Sequence, residues 1–530
     1  MIRFFLLTAL GTALPLGAHA QVQTPVLKWA YGGCFTSWCQ TGWYSSPAVA
    51  DLDGDGHGDV IAGSYDIVAL VGDTGALRWR GPSDSRVWPG IAIGDLNHDG
   101  HPGIVVGRGG AEVTVYNFDG SVRDGWPAHA FANGEVRSLA LADLDANGTL
   151  QVVVGDAASV SANQVNVLDA NGNVRAGFPA RHPVDPGYGS GMYNENVAIA
   201  DMDGDGHPEI FAPTDTHYVT ALDRNGGQLR ANAMYGTSSA GGPKFWSEVG
   251  VHVDQAVDLR GYAECGTEHR PNFASSAPAI ADVDGDRVPE LVLPGNVYNC
   301  GTDPYTDLYY DVWLLRADRT RWAASGFDWT QIPARGASGA PLSEDYNVIQ
   351  NIAANAVVAD LDGDRIQEIL LPSYDGKLHA WWLDKTEHGA WPFVVPGAGI
   401  HFASEPVVAD LDNDGRAEVL FTSWGENDNG ESGKLYVLNA DGAQIVAIDL
   451  PPARGASWSG GLAAPTLANI DGDGELEIVI NTVAAGVVAY DLPGTRYART
   501  QWSTGRGGER RTGVAFNERI FVSGFGRAGG

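Results

Sequence analysis

Apolar residues along this chain come in short runs, and the runs come in pairs. Each pair brackets a polar loop dense in aspartate: SSPAVADLDGDGHGDVIAG begins at Ser45, PGIAIGDLNHDGHPGIVVG at Pro89, RSLALADLDANGTLQVVVG at Arg137 and ENVAIADMDGDGHPEIFAP at Glu195. The series continues with SAPAIADVDGDRVPELVLP from Ser276, ANAVVADLDGDRIQEILLP from Ala354, SEPVVADLDNDGRAEVLFT from Ser404 and AAPTLANIDGDGELEIVIN from Ala463. Runs this short, rich in Val, Ile and Leu and bounded by turn residues, read as β-strands. No stretch carries the three-and-four apolar spacing of an amphipathic helix. Most units add a third run closed by a dipeptide such as Asp119-Gly120, Asn171-Gly172 or Asp441-Gly442, which tolerates the positive φ of a tight hairpin. A fourth run follows, often with an aromatic such as Trp79 or Trp126.

Four antiparallel strands repeated eight times is the pattern of an all-β fold, a β-propeller of eight four-stranded blades, each carrying one of the acidic loops. Seven blades plus one displaced unit is the alternative. An open last blade would expose a strand edge to aggregation. The segment VLKWAY from Val26 resembles a fourth strand and is predicted to complete the C-terminal blade. Residues 21–510 are read as one propeller domain with insertions at 226–275, 296–310 and 323–351, followed by a C-terminal tail at 511–530.

Composition agrees: 70 glycines and 16 tryptophans against four methionines suit many short strands and tight turns. A net charge of −32 argues against a nucleic-acid partner, which needs clustered Lys and Arg. Residues 1–20 read as an export signal, with Arg3, an apolar stretch from Phe4 to Leu16 and a cut after Ala20. Nothing later approaches the roughly 20 apolar residues of a membrane span, so a secreted or periplasmic monomer is expected. In that oxidising compartment four cysteines can form disulfides, and Cys34 with Cys39 and Cys265 with Cys300 is the preferred of three pairings.

Within each loop, oxygen-bearing side chains recur at positions one, three, five and nine. The first loop has Asp51, Asp53, Asp55 and Asp59; the fourth Asp201, Asp203, Asp205 and Glu209; the fifth Asp282, Asp284, Asp286 and Glu290. The sixth has Asp360, Asp362, Asp364 and Glu368, the seventh Asp410, Asp412, Asp414 and Glu418, and the eighth Asn469, Asp471, Asp473 and Glu477. Two are weaker: Asp95, Asn97 and Asp99 are followed by Gly103, and Asp143, Asp145 and Asn147 by Gln151. Carboxylates in alternation around a compact turn suit Ca²⁺, which takes six to eight oxygens at flexible angles. An EF-hand is excluded, because position twelve is Ala62 or Ala212 rather than Glu and strands flank the loop. In the fifth and sixth loops Arg287 and Arg365 replace the usual glycine, so an altered turn is expected there.

These loops resemble the FG-GAP or VCBS-type repeats of secreted bacterial proteins, which are similar to the calcium-bearing blades of integrin α-subunits. That resemblance implies a propeller and calcium. For activity it implies only a range from adhesion and ligand binding to polysaccharide cleavage.

In a four-stranded blade the first-to-second connection and the second-to-third connection lie at opposite ends. The long connections are therefore expected opposite the acidic loops, where ligands bind. Trp246, Tyr298, Tyr305 and Tyr309 are the candidate ligand-binding aromatics. Glu248, His252 and Asp254, with His217 and His269, are the nearest approach to acid/base chemistry. No nucleophile elbow, zinc motif or phosphate loop is present. The sequence thus favours a module binding an extracellular glycan or protein over an enzyme; the alternative is a polysaccharide-degrading lyase or hydrolase working on the face opposite the calcium loops.

Overall fold

The structure is a computed structural model that describes residues 22–32, 45–82, 85–157, 164–178, 191–194, 197–274, 276–299, 309–323, 355–373, 375–397, 401–425, 432–452 and 459–515. Within them the chain builds eight antiparallel sheets, mostly four-stranded, one for each acidic loop: an eight-bladed propeller rather than a seven-bladed one. Blade 1 is typical, with strands Ala48–Ala50, Asp59–Gly63, Ile67–Leu70 and Leu77–Arg80. Its register pairs Ala50 with Asp59 beside the acidic loop and Gly63 with Ile67 at the far end. Because a blade is packed on both sides, its second strand is buried throughout rather than alternately exposed. Val60, Val68 and Leu70 meet Val479, Val487 and Ala489 of blade 8. Ile61, Ile67 and Ala69 meet Ile93, Ile104 and Val106 of blade 2.

A repeated latch sets the direction of packing. The fourth-strand tryptophan of one blade lies over the hairpin glycine of the next and donates its indole N–H to a carbonyl there. Trp29 serves Gly72 O, Trp79 Phe118 O, Trp126 Ala170 O and Trp391 Ala440 O, at 2.6, 3.0, 3.2 and 2.9 Å. A Cβ on Gly75 would lie 2.6 Å from the Trp29 ring and one on Gly120 2.6 Å from Trp79, so only glycine fits beneath the ring. Trp29 belongs to Val26–Tyr31, which pairs antiparallel with Val487–Leu492 as the fourth strand of blade 8. The predicted closure is therefore observed.

A second closure lies on the ring axis. Arg499–Trp502 pairs with the inner strand Val407–Asp410 of blade 7, and the chain then follows the inner edges of the other blades. Leu467 donates its N–H to Ser503 O, Ile93 to Glu509 O, Leu141 to Arg510 O, Ile199 to Thr512 O and Ile280 to Gly513 O, all at 2.8–2.9 Å. Gln501 brackets Asp360 of blade 6 with both ends of its amide. Residues 511–515, assigned to a tail by the sequence, thus run inside the ring. Two buried arginines fix this segment. Arg511 donates to Ile91 O, Thr504 Oγ1, Gly505 O, Ser46 O and Pro47 O; Arg506 donates to Val197 O and Pro278 O.

No helix among the described residues is long and apolar enough to cross a membrane. Both expected disulfides, Cys34–Cys39 and Cys265–Cys300, involve residues outside the described ones, and no pair of described cysteines lies at bonding distance. Cys265 is not a free thiol, and Cys34, Cys39 and Cys300 lie outside the described residues.

Replacing Arg511 with methionine keeps side-chain volume but removes the donor to Ile91 O and Gly505 O and one of the donors to each of Ser46 O and Pro47 O. Each unsatisfied buried group costs about 1–3 kcal/mol. Arg511→Met is therefore expected to lose about 2–6 kcal/mol in denaturant melts; a loss under about 1 kcal/mol would mean the axis segment is dispensable.

Candidate functional site

Each acidic loop is wound by its own carboxylates. In the fourth, Asp201 accepts from the N–H of Gly204 and of Gly206, Asp205 from His207 N–H, and Glu209 Oε2 from Met202 N–H, at 2.8–2.9 Å. The ninth-position oxygen and the second-position N–H recur together in six further loops, through Asp59, Gln151, Glu290, Glu368, Glu418 and Glu477. Arg287 and Arg365 do not alter the turn, contrary to expectation. They adopt φ of 75° and 76°, and each still gives its N–H to the first aspartate at 2.9 Å.

With one face of each carboxyl tied to backbone, the other faces converge. Asp201, Asp203, Asp205 and Glu209 bring a ligand oxygen each to within 4.8 Å of one another. So do Asp51, Asp53 and Asp55; Asp282, Asp284 and Glu290; Asp360, Asp362 and Glu368; and Asp410, Asp412 and Glu418. These groups fit a hard divalent cation. Glu290 and Glu368 are fully buried, yet Oε1 of each, like Oδ1 of Asp282, has no hydrogen-bond partner. Burial first, then the neighbouring aspartates, push Glu209 up to about 7, Glu290, Glu418 and Glu477 to about 8, and Glu368 to about 9.

At the other end of the blades a different chemistry gathers. Val87 N–H reaches Ser64 O and Arg108 donates to Tyr65 O, so the second-to-third turn of blade 1 and its link to blade 2 share that face. There Arg86 lies 5.4 Å from the Tyr65 ring and 4.5 Å from Trp88. Arg137 lies 3.9 Å from Trp88 and 5.7 Å from Tyr193. The result is an alternating aromatic–guanidinium ladder drawn from the first turn, from the segments leading into the inner strands of blades 2 and 4, and from the start of the inner strand Val136–Ala142 of blade 3. Arg137 is also paired with Glu135 at 2.7 Å. Sequence reading missed this ladder, because its members are scattered between residues 65 and 193 and only the closed ring aligns them.

The predicted aromatic candidates fare differently. Trp246 is fully buried, packs edge-on against Phe211 and donates to Ala317 O; it is core, not a ligand platform. Tyr298 is nearly buried and its hydroxyl accepts from Arg270 Nε at 3.0 Å. Tyr305 lies outside the described residues; Tyr309 begins strand Tyr309–Leu315, and its side chain is not described. The insertion after blade 4 also departs from expectation. Its Asn232, Tyr235 and Trp246 bond Asp318, Arg319 and Ala317, which form the third-to-fourth turn of blade 5 at the acidic-loop end. The segment therefore interrupts the fourth strand of blade 4 and descends the rim before returning, where Val251 N–H meets His217 O.

His252 is buried within that rim rather than exposed for catalysis. Its Nδ1 lies 3.0 Å from Asp258 Oδ1, while Arg321 Nη2 and Arg319 Nη2 stand 2.8 and 3.3 Å from Asp258 Oδ2. Burial alone would push Asp258 up, but the two guanidinium groups hold it below the usual carboxylate range. Glu248 and Asp254 are likewise local fasteners, accepting from Phe245 N–H and Ala256 N–H. His217, in the second-to-third turn of blade 4, stays partly exposed; burial, then Arg270, lowers it to about 3, so its imidazole is neutral.

Comparison with known proteins places the FG-GAP-like repeat model on residues 360–421. No curated protein matches the chain. Solved structures resemble it in fold. One is the exotype rhamnogalacturonan lyase YesX, with 15% identity, 93% of this chain and 84% of that chain covered and a TM-score of 0.49. Another is a Bacillus licheniformis rhamnogalacturonan lyase, with 14% identity, 93% and 84% covered and a TM-score of 0.45. A third is BamB from Moraxella catarrhalis, with 13% identity, 87% and 98% covered and a TM-score of 0.43. At such identities the likeness concerns fold, not activity. It corrects one expectation: with lyases among these structures, the architecture gives no ground for favouring a non-enzyme.

Two outcomes follow. In a cation-free sample the raised glutamates bind protons that an unfolded chain, with glutamate at 4.5, has released. The folded state then holds the excess protons, and stability falls as pH rises from about 5 to about 9. Melts in EDTA are expected to show that fall and added calcium to flatten it; an EDTA melt independent of pH would contradict the electrostatics. Asp258→Asn strands two buried arginines and is expected to cost about 3–5 kcal/mol, whereas a catalytic role for His252 alone would leave the melt unchanged.

Proposed function

We propose that the protein is exported and acts on an extracellular glycan through the face opposite the acidic loops, while those loops hold calcium as braces in the manner of integrin α-subunit blades. The ladder Tyr65–Arg86–Trp88–Arg137–Tyr193 carries this reading. Trp88 is buried with both guanidinium groups against it and holds them in place; the half-buried Tyr65 and Tyr193 rings and the N–H edges of Arg86 and Arg137 are what a glycan's apolar faces and its hydroxyl and carboxylate oxygens would meet.

Cleavage of the bound glycan is a second reading, supported by His217. His217 lies near Arg270, a cation able to stabilise developing negative charge, but at about 3 its imidazole is a weak base, so this reading requires a bound acidic substrate to raise it. The similarity in fold to lyases is compatible with this reading and does not decide it.

A glycan screen read out for both binding and released product tests both. Arg137→Ala is expected to weaken binding at least tenfold, about 1.4 kcal/mol, with melting preserved; His217→Ala is expected to abolish product while leaving binding. A calcium-loaded protein that binds no glycan would overturn the proposal.

A further inference from the structure

The eight acidic loops differ in what reaches them from the blade's fourth strand. In blade 1 Arg78 sets Nη1 2.7 Å from Asp53 and Nε 2.5 Å from Asp59, between ligand positions three and nine. In blade 3 Arg175 gives Nη1 and Nη2 to the two oxygens of Asp145 at 2.8 and 2.7 Å. In blade 8 Lys28 donates to Asp471 at 2.6 Å. Blade 2 reaches the same end differently. Gly103 removes the ninth side chain, and the buried Arg123 guanidinium occupies its space: a Cβ there would meet Nη1 and Nη2 at 3.3 and 3.4 Å.

Register makes these four cations equivalent. Each directly follows a residue paired with the third strand: Leu77 with Leu70, Val122 with Tyr116, Val174 with Leu168 and Leu27 with Tyr490. The same place in blades 4, 5 and 7 holds Leu229, Trp322 and Ile445, after Gln228, Arg321 and Gln444. In blades 5 and 6 a tryptophan indole N–H, of Trp322 or Trp382, takes the third-position carboxylate instead, at 2.8 and 3.2 Å. Among the described residues no Lys or Arg pairs with the ligand carboxylates of blades 4 and 6. Blade 5 has Arg316 at 3.9 Å from Glu290. Blade 7 has the half-exposed Arg499 on Asp410, which approaches from the axis rather than from the fourth strand. The fully buried carboxylate oxygens without hydrogen-bond partners, on Glu290 and Glu368, lie in this second group.

We infer that Arg78, Arg123, Arg175 and Lys28 stand in for the metal in blades 1, 2, 3 and 8, and that only the loops of blades 4 to 7 take a hard divalent cation of the calcium class. In blade 1 the guanidinium between two ligands neutralises them and fills the seat; Arg175 and Lys28 neutralise the third-position ligand, and Arg123 fills the space of the missing ninth side chain. An added divalent ion within a few ångströms would be repelled by each of them. The inference rests on the cation-binding reading above and narrows it.

The test is a metal count on the full chain, stripped and then equilibrated with calcium just saturating for the wild type, read by atomic emission and normalised to folded protein by circular dichroism. Four ions per chain are expected. Asp203→Asn, Asp284→Asn and Asp362→Asn should each remove one ion, Asp53→Asn and Asp145→Asn none, and Arg78→Met should add one. Eight ions, or an ion lost in Asp53→Asn, overturns the division. No calcium at all overturns the cation reading itself, so the two failures are distinguishable.

Discussion

The inner edge of each blade is the constraint on which this fold turns. A propeller packs its blades face to face, which leaves every innermost strand with one unpaired row of backbone groups directed at the axis. Here that row is met by residues 499–515, whose carbonyls and side chains receive or supply bonds for blade after blade. Nearest-neighbour packing in a repeat array fixes each blade only against the next. The axis segment differs in kind, because Arg511 and Arg506 tie the segments that precede blades 1, 2, 4 and 5 to one strip of chain. Register around the ring is thereby referred to a common centre, and the edge pairing of Val26–Tyr31 then closes a circle whose size is already set.

Charge organisation follows from the same geometry. Hairpin parity sends every acidic loop to one end of the ring, and an array of carboxylates wound by their own backbone N–H groups cannot relax apart. Positive charge must reach each loop, either from an ion or from a side chain. Blade 1, with Arg78 across Asp53 and Asp59, and blade 4, with four converging carboxylates and no paired cation among the described residues, illustrate the two extremes. The raised pKa of Glu368 reflects the second condition: buried carboxyls whose electrostatic demand is met by a proton when nothing else is present.

Much of this was legible in the sequence. The eight DxDxD-like loops, the strand pairs around them and the closing VLKWAY segment are local patterns with period-two and turn signatures, and local patterns survive in a one-dimensional reading. What escaped it was non-local. Arg511 read as the start of a tail, and Arg506 drew no role, because their partners are backbone carbonyls hundreds of residues away, which no residue type advertises. Trp246 looked like a ligand platform because an aromatic in a long insertion signals either exposure or packing, and only the Ala317 turn beneath it distinguishes the two. His252 read as available for proton transfer until Asp258, Arg319 and Arg321 appeared around it. The insertion was placed on the wrong end because parity counting assumed an intact fourth strand, whereas the chain leaves that strand after Leu229 and rejoins the blade at Val251.

The two ends of the ring can therefore vary independently. A side chain in an acidic loop is bound by the chelating geometry of its own hairpin. Trp88 and Tyr193 instead belong to the linkers between blades, and Arg137 to the irregular start of strand Val136–Ala142, where the register shifts. Linker residues reach one another only because the inner strands converge, so the aromatic–guanidinium surface is a product of ring closure and would be dispersed in an open array. Binding at that surface and bracing at the opposite end are then coupled through blade rigidity alone. Loss of a cation should loosen the hairpins of its own blade before it disturbs the linkers that carry the ladder.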